Sequence, residues 1–260
     1  MIQSEPQKTI YKRNFITNVI FRIDYPKILN LSEKKPPSKF QNAIIKRFPQ
    51  IKVNRQSKIK TEIIKDSTFN INAKSTVSWS FLNREKTIKT TIDSDNLIIE
   101  CSRYKKFTEF FNTIKYILDN FMKLHNVKII NRLGLRYINQ IKFDTGNPID
   151  WDNLIAPSLF SVSKDFVKES DRNNISRSMH LLEINEEKNI LIFQYGMHNS
   201  EYPNPISRKE FILDYDCISK EEIEKVEILN KVKIFNAIIS KWFELSIMDG
   251  LRKEMGGNKS

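Results

Sequence analysis

A stretch in which apolar and polar residues largely alternate constrains the fold of this chain more than any other feature. It runs from Arg132 to Phe143, and its period of two predicts a β-strand with two unlike faces. One face carries Leu133, Leu135, Tyr137, Asn139, Ile141 and Phe143, and the other carries Arg132, Gly134, Arg136, Ile138, Gln140 and Lys142. We therefore expect a sheet with one face in the core and one basic face.

The first half of the chain contains a matching strand and then an antiparallel series. Phe15 to Tyr25 alternates in the same way and stops at Pro26. A short helix is predicted to start at Ser38, because Phe40, Ile44 and Phe48 fall at helical spacing. Further strands are expected near 53–65, 74–82, 86–93 and 96–101, before a long helix from Phe107 to Leu124.

The second half repeats this order. After the Arg132 strand, Asp150 is a predicted cap for a short helix with Trp151, Leu154 and Ile155 on one side. A polar loop spans 161–176. Strands are expected at 177–185, 190–198 and 210–217, and a long helix from Glu221 to Met248.

This repeated order predicts the fold class. We expect an α+β protein, pseudo-duplicated as strand, helix, antiparallel strands and helix, with both long helices packed on one face of an antiparallel sheet. Residues 1–260 would form a single domain of two related halves, 10–130 and 131–255. If the first strands of the halves are neighbours, Arg22 and Arg136 meet on the uncovered face.

The basic charge is concentrated in the first half. The chain carries a net charge of +12, but residues 1–130 hold 25 Lys and Arg against 11 Asp and Glu, whereas residues 131–260 hold 18 against 20. Such a field favours a polyanion, RNA or DNA, or an acidic protein. The alternative is genome composition, because 31 of the 43 basic residues are Lys in a chain rich in Ile and Asn.

Several classes of protein find no support in the sequence. There is no long apolar run and no apolar N-terminal segment, so we expect a cytoplasmic location without membrane contact. Two cysteines, Cys101 and Cys217, are too few for a disulfide framework and are expected as packed thiols. No phosphate-binding loop or nucleophile elbow is present, so no cofactor is assigned.

Candidate catalytic and metal-binding residues are sparse. The histidines are His125, His180 and His198, and the last two are expected on opposite faces of one hairpin. Asp214 and Asp216 share a predicted strand face and suit Mg²⁺, which leaves a metal-dependent hydrolase as a third hypothesis. We assign no catalytic residue and no metal ligand.

Candidate binding residues lie on the basic strand faces. For contact with nucleic acid or a protein partner we select Arg22, Arg132, Arg136, Lys142 and Arg177. Structural roles are assigned to Gly134, Tyr137 and Asn139, since an amide on a core face needs a hydrogen-bond partner. Aromatic residues expected to be free for stacking on unpaired bases are Tyr11, Tyr104 and Tyr202.

Four segments carry a resemblance to a known family. They are Phe40-Gln41 to Phe48-Pro49, Arg132-Leu-Gly-Leu-Arg-Tyr-Ile-Asn-Gln-Ile141, Leu213-Asp-Tyr-Asp216 and Phe243 to Met255. In these motifs and their order along the chain, the sequence resembles a sporadically distributed bacterial family of uncharacterised proteins with an R-x-G-L-R-Y-I-N motif. The chain has Met248 where that family usually has Thr. The family's patchy occurrence implies a role in antiviral defence or in a toxin-linked system.

These observations give one functional hypothesis and one alternative. The first is a non-catalytic binding or sensing component of a bacterial antiviral defence or toxin-linked module that binds nucleic acid through a basic open sheet face. The alternative is a protein-interaction scaffold whose C-terminal helix oligomerises the chain or restrains a partner enzyme, such as the product of a neighbouring gene.

Overall fold

The protein combines a large antiparallel sheet with a few helices. The computed structural model describes residues 11–32, 35–64, 68–219 and 221–256. In chain order the elements are β1 (Ile16–Asp24), α1 (Leu29–Ser32), α2 (Ser38–Ile44), β2 (Gln50–Ile64), β3 (Thr68–Leu82), β4 (Ile88–Ile92), β5 (Asn96–Cys101), α3 (Phe107–His125), β6 (Ile129–Ile130), β7 (Arg132–Phe143), β8 (Ser178–Glu186), β9 (Asn189–Met197), β10 (Lys209–Ser219), β11 (Ile223–Glu224), α4 (Ile228–Ser246) and α5 (Asp249–Glu254).

The strands form one nine-stranded sheet and one two-stranded sheet. Across the larger sheet the neighbouring strands are β2-β3-β4-β5-β1-β7-β10-β9-β8, and the smaller sheet consists of β6 and β11. By contacts the chain divides into two compact units. The first unit comprises 20–133 and 220–229, and the second comprises 1–19, 134–219 and 230–260.

The first unit has its core between its strands and α3. The nineteen residues of α3 bury an apolar stripe that includes Phe110, Ile114, Ile117 and Phe121, as expected for an amphipathic helix that covers a sheet. The rings of Tyr25 and Phe40 lie 5.1 Å and 5.8 Å from the ring of Phe121. The interior of this unit therefore contains a cluster of aromatic rings among aliphatic side chains.

In the second unit, α4 packs on Tyr215 of β10. The Tyr215 hydroxyl donates to Ser246 Oγ over 2.8 Å, and its ring stacks on Phe193 with centroids 4.5 Å apart. Burial raises the pKa of Tyr215, so this phenol stays a hydrogen-bond donor.

Most predicted elements are present, with small shifts at their ends. In the β8–β9 hairpin, Glu186 pairs with Asn189. The turn after β4 is closed by Asp93, whose Oδ1 accepts from the backbone N–H groups of Asp95 and Asn96, each at 2.8 Å. Among the described helices, none is both long and apolar enough to cross a lipid bilayer.

Three local predictions were wrong. The segment after Asp150 forms a turn at 152–154 and no helix, because Asp150 Oδ1 accepts the N–H of Asp152 and closes a turn. The predicted loop at 161–176 contains a π-helical turn, Val162–Phe166, and a 3₁₀ segment, Glu169–Asn174. The last long helix is shorter than predicted, because residues 223–224 pair with Ile129–Ile130, and a separate helix, α5, follows it.

Candidate nucleic-acid interface

In the first unit, the two predicted sheet-face arginines share one carboxylate. Arg22 Nε donates to Asp24 Oδ1 over 2.7 Å, and Arg132 Nη1 lies 3.9 Å from Asp24 Oδ2. Both arginines are partly exposed. Asp24 therefore compensates much of the positive charge on this part of the sheet.

In the second unit, the corresponding cations are paired more tightly. Arg136 binds Asp214 through two parallel hydrogen bonds of 2.8 Å and 2.5 Å, and Asp214 is only 6% exposed. The bond to Asp214 raises the pKa of Arg136. Lys142 Nζ lies 3.2 Å from Oε1 of Glu210, which is 3% exposed. The two parallel hydrogen bonds between Arg136 and Asp214 fix both side chains.

The predicted cations thus lie on a surface that supplies its own anions. A phosphate group that approached Arg136 or Lys142 would compete with a buried carboxylate already in place. Leaving that carboxylate uncompensated costs several kcal/mol. The role of Arg22, Arg132, Arg136 and Lys142 in partner binding stays a prediction, and their geometry favours a structural contribution.

The residues to which the sequence analysis assigned structural roles are buried on β7. Asn139 is buried and its amide donates to the carbonyl of Leu213 over 3.1 Å. Tyr137 is buried up to its hydroxyl, which lies 2.9 Å from Asn236 Oδ1. Gly134 is buried on β7. These contacts hold the strand that carries the family-like motif.

The three candidate stacking tyrosines differ in exposure. The hydroxyl of Tyr11 donates to Glu244 over 2.6 Å, and burial raises its pKa. Tyr104 is partly exposed, with its ring edge-on to Phe110. Tyr202 is 56% exposed, and the guanidinium of Arg177 lies 4.1 Å from its ring centroid.

A basic cleft in the first unit was not found by our reading of the sequence. It has a volume of about 380 Å³ and lies where the segment after β5 meets the first turns of α3. Its charged and polar lining consists of Arg47, Arg103, Tyr104, Lys105, Lys106, Glu109, Asn112 and Thr113. We refer to this feature as the α3 cleft.

The cations of the α3 cleft have few anionic partners. Lys106 lies 3.4 Å from Glu109, and both side chains are more than half exposed. Arg47 donates to Thr113 Oγ1 over 3.3 Å and covers the ring of Tyr116 at 4.5 Å. Within the described residues, Arg103 and Lys105 form no ion pair. Four cations and one carboxylate therefore line the cleft.

The helix adds to this positive potential. Lys106 is the N-cap residue of α3 in an extended conformation, and no side chain caps the helix there. The N-terminal end of a helix carries a partial positive charge, so acidic residues are normally favoured at this position and basic ones are not. The cations of the α3 cleft are thus unfavourable for the isolated helix, and a bound anion would relieve them.

Part of this cleft had a signal in the sequence. The run Arg103-Tyr-Lys-Lys106 stands directly before the helix that begins at Phe107, and its charge has the wrong sign for a helix start. Such a local conflict is typical of a functional position. Arg47 gave no comparable signal, because the tertiary fold brings α2 against α3.

The residues considered for catalysis lie apart or are engaged in other contacts. Within the described residues, no group of three or more His, Cys, Asp or Glu could hold a metal ion. Glu186 accepts from Trp242 Nε1 over 2.7 Å and from Lys241 over 3.0 Å, and these bonds lower its pKa. His180 lies 3.2 Å from Ser178 Oγ and stacks on Tyr195.

Both cysteines are free and buried. Burial raises the pKa of Cys217 to about 12, and it also raises the pKa of Cys101. A thiol with a raised pKa is a poor nucleophile at neutral pH. Neither cysteine therefore suggests thiol chemistry.

Comparison with protein-family models gives no match for this chain, and a search of curated proteins also gives no match. The resemblance carried by the Arg132–Ile141 motif stays a prediction.

Proposed function

We propose that this chain is a non-catalytic binding or sensing component of a bacterial antiviral defence or toxin-linked module, and that it binds nucleic acid through the α3 cleft. The observation that carries this proposal is the set of four cations, Arg47, Arg103, Lys105 and Lys106, which line one cleft with a single carboxylate, Glu109. The defence or toxin context rests on the family resemblance alone.

The chemistry of the cleft suits a phosphate backbone. Arginine forks bind phosphate oxygens in pairs, and lysines contribute compact charge. Neither Arg103 nor Lys105 would have to leave a carboxylate of the described chain before it bound phosphate. Each phosphate neutralised in this way releases condensed counterions, so binding should be strongly salt-dependent.

The cleft offers few groups that could read bases. Tyr104 and Asn112 line it, but its charge is contributed by side chains that contact the backbone of any sequence. We therefore expect affinity for RNA and DNA with little sequence preference.

The test is a titration of RNA and DNA oligonucleotides at low and at high salt. The cleft variant carries Arg103→Gln and Lys105→Gln. A control with the same change in charge carries Lys27→Gln and Lys188→Gln, two exposed lysines outside the cleft. A third variant, with Arg22→Ala and Lys142→Ala, tests the sheet face that the sequence predicted.

The expected result separates these surfaces. The cleft variant should lose about tenfold or more in affinity, with a salt dependence reduced by roughly one unit for each lost phosphate contact. The control should bind like the wild type. Salt-insensitive binding, or a loss seen only in the third variant, would contradict the use of the α3 cleft.

A second candidate function is supported by the outer surface of α4. Ile234 and Leu245 are 40% and 60% exposed, and their spacing of eleven residues places them on one side of the helix. This stripe fits a scaffold that binds a second copy or the product of a neighbouring gene. Leu245→Glu should then abolish co-purification or self-association, whereas Ser240→Glu, also exposed on α4, should preserve it.

The finer architecture is also a proposal. We infer that the halves 10–130 and 131–255 arose by duplication and carry their long helices on one face of the sheet. In support, β1 and β7 are neighbours in the strand order, and the other sheet strands of each half follow outward. An alignment of homologues in which the halves match position by position would test this inference. A cytoplasmic location belongs to the same proposal.

A further inference from the structure

The second unit presents an exposed aromatic ring on a well-held loop. Tyr202 lies between β9 and β10, and more than half of its surface is exposed even though the Arg177 guanidinium covers one ring face. Its hydroxyl forms no hydrogen bond within the described residues. A large aromatic ring at this exposed position is not stabilised by burial in the protein core.

The loop around Tyr202 is ordered by a buried amide. Asn199 is 4% exposed. Its side-chain amide donates to the carbonyls of Ser176 and Asn204, and its Oδ1 accepts the N–H of Glu201. The chain on either side is joined by a bond from the N–H of Ile206 to the carbonyl of Ile175. The ring is therefore presented on a fixed backbone, which lowers the entropy lost when a ligand binds.

Arg177 packs against the Tyr202 ring and not against a carboxylate. Among the described residues it forms no ion pair, and its guanidinium lies 4.1 Å from the ring centroid. Arg208 is close in sequence to the ring and is largely exposed, although it is paired with Glu201 at 2.8 Å. Stacked arginine and tyrosine side chains are the types that contribute most to binding at interfaces.

We propose that Tyr202 is a stacking site for one unpaired nucleobase, with Arg177 on the opposite face of the ring. The inference rests on the proposed function, since it concerns the class of nucleic acid that this chain binds. It adds that the preferred ligand is single-stranded nucleic acid. In a duplex the base faces are already stacked on one another and are not available to the ring.

The physical basis is stacking of two flat π-systems. Every base presents such a face, so the contact tolerates any sequence. The guanidinium holds the tyrosine ring in place and adds positive charge close to the neighbouring phosphate. Loss of one stacked base typically reduces affinity by roughly tenfold.

The experiment compares two ligands that differ only in their bases. A single-stranded oligothymidylate and an abasic oligonucleotide of equal length carry the same phosphates. Each is titrated against the wild type, Tyr202→Ala and Tyr202→Phe, with thermal unfolding as a check on the fold. Because Tyr202 is exposed and lies outside the core, these variants should unfold at the same temperature as the wild type.

The wild type should bind the base-bearing strand roughly tenfold more tightly than the abasic one. Tyr202→Ala should remove this preference without changing abasic binding, and Tyr202→Phe should keep it. If Tyr202→Ala keeps the preference, the stacking inference fails while the α3 cleft proposal stands. If neither ligand binds in a salt-dependent way, the proposed function fails, and the inference fails with it.

Discussion

The basic residues of this protein occupy two kinds of surroundings. On the sheet, Arg136 and Lys142 face Asp214 and Glu210, which are almost completely buried. In the α3 cleft, Arg103 and Lys105 line the same cleft as Arg47 and Lys106, and they stand directly before α3 in the sequence. The sequence makes both groups equally basic, but only the second is left without an internal counterion in the described chain.

The difference teaches that the positions of carboxylates decide which cations are available. A buried carboxylate on a neighbouring strand turns an arginine into part of the fold, because separating the pair leaves a desolvated charge. A cation at a helix start has the opposite effect, because it opposes the dipole and a bound anion would stabilise it. The net charge of the chain therefore does not show which cations can bind an anion; the positions of the carboxylates around each cation do.

The largest expected effect comes from Arg136→Met. This change leaves Asp214 buried without its partner, and we expect a loss of about 2 to 3 kcal/mol in the free energy of unfolding, less than for a fully buried pair because Arg136 is 39% exposed. The matched substitution Arg103→Met should change stability by less than about 0.5 kcal/mol. Urea denaturation of both variants at neutral pH measures the difference.

Equal losses of stability in Arg136→Met and Arg103→Met would contradict the difference between the sheet cations and the cations of the α3 cleft. A further control is the double change Arg136→Met with Asp214→Leu, which replaces the whole pair by apolar groups. It should recover much of the lost stability, since the destabilisation comes from the uncompensated carboxylate.

The next effect has the opposite sign. Lys106→Asp places a good capping residue at the extended N-cap of α3 and should stabilise the protein by about 1 kcal/mol. The same change should weaken binding to oligonucleotides, because it puts negative charge at the entrance of the α3 cleft. A gain in stability together with a loss of affinity indicates a position selected for binding. Unchanged affinity would contradict that view.

Much of the sheet could be predicted from the sequence, because a period of two in Arg132–Phe143 is local information. The hairpin of β8 and β9 could also be predicted, and the short turn at Glu187 and Lys188 sets its register. The pairing of Arg136 with Asp214 requires β7 and β10 to be neighbours, and which strands are neighbours is not local information. The α3 cleft was missed for a similar reason: Arg47 and Arg103 are far apart in the chain and meet only when α2 packs on α3.

A smaller effect should follow from ionic strength. Because the cations of the α3 cleft repel one another and the helix dipole, added salt should stabilise the wild type by roughly 0.5 kcal/mol through screening. The variant with Arg103→Gln and Lys105→Gln should lack most of this gain. Urea denaturation at low and high sodium chloride measures it, and an equal salt effect in both proteins would show that the cleft carries no electrostatic strain.

The smallest effect concerns the other end of the same helix. His125 ends α3, and its ring lies 4.7 Å from that of Phe121. Burial lowers the pKa of His125, and its Nε2 is buried without a hydrogen-bond partner. The folded state therefore favours the neutral ring.

The sign of the pH dependence follows from this lowered pKa. When the pH falls below the ordinary histidine pKa of about 6.5, the unfolded chain takes up the proton first, so stability decreases until the pH passes the lower pKa of the folded state. His125→Gln should flatten this part of the pH profile. If the stability profile of His125→Gln keeps the slope, the buried ring of His125 is not the source of this pH dependence. The electrostatic effects expected for α3 would then come from the cations of the α3 cleft alone.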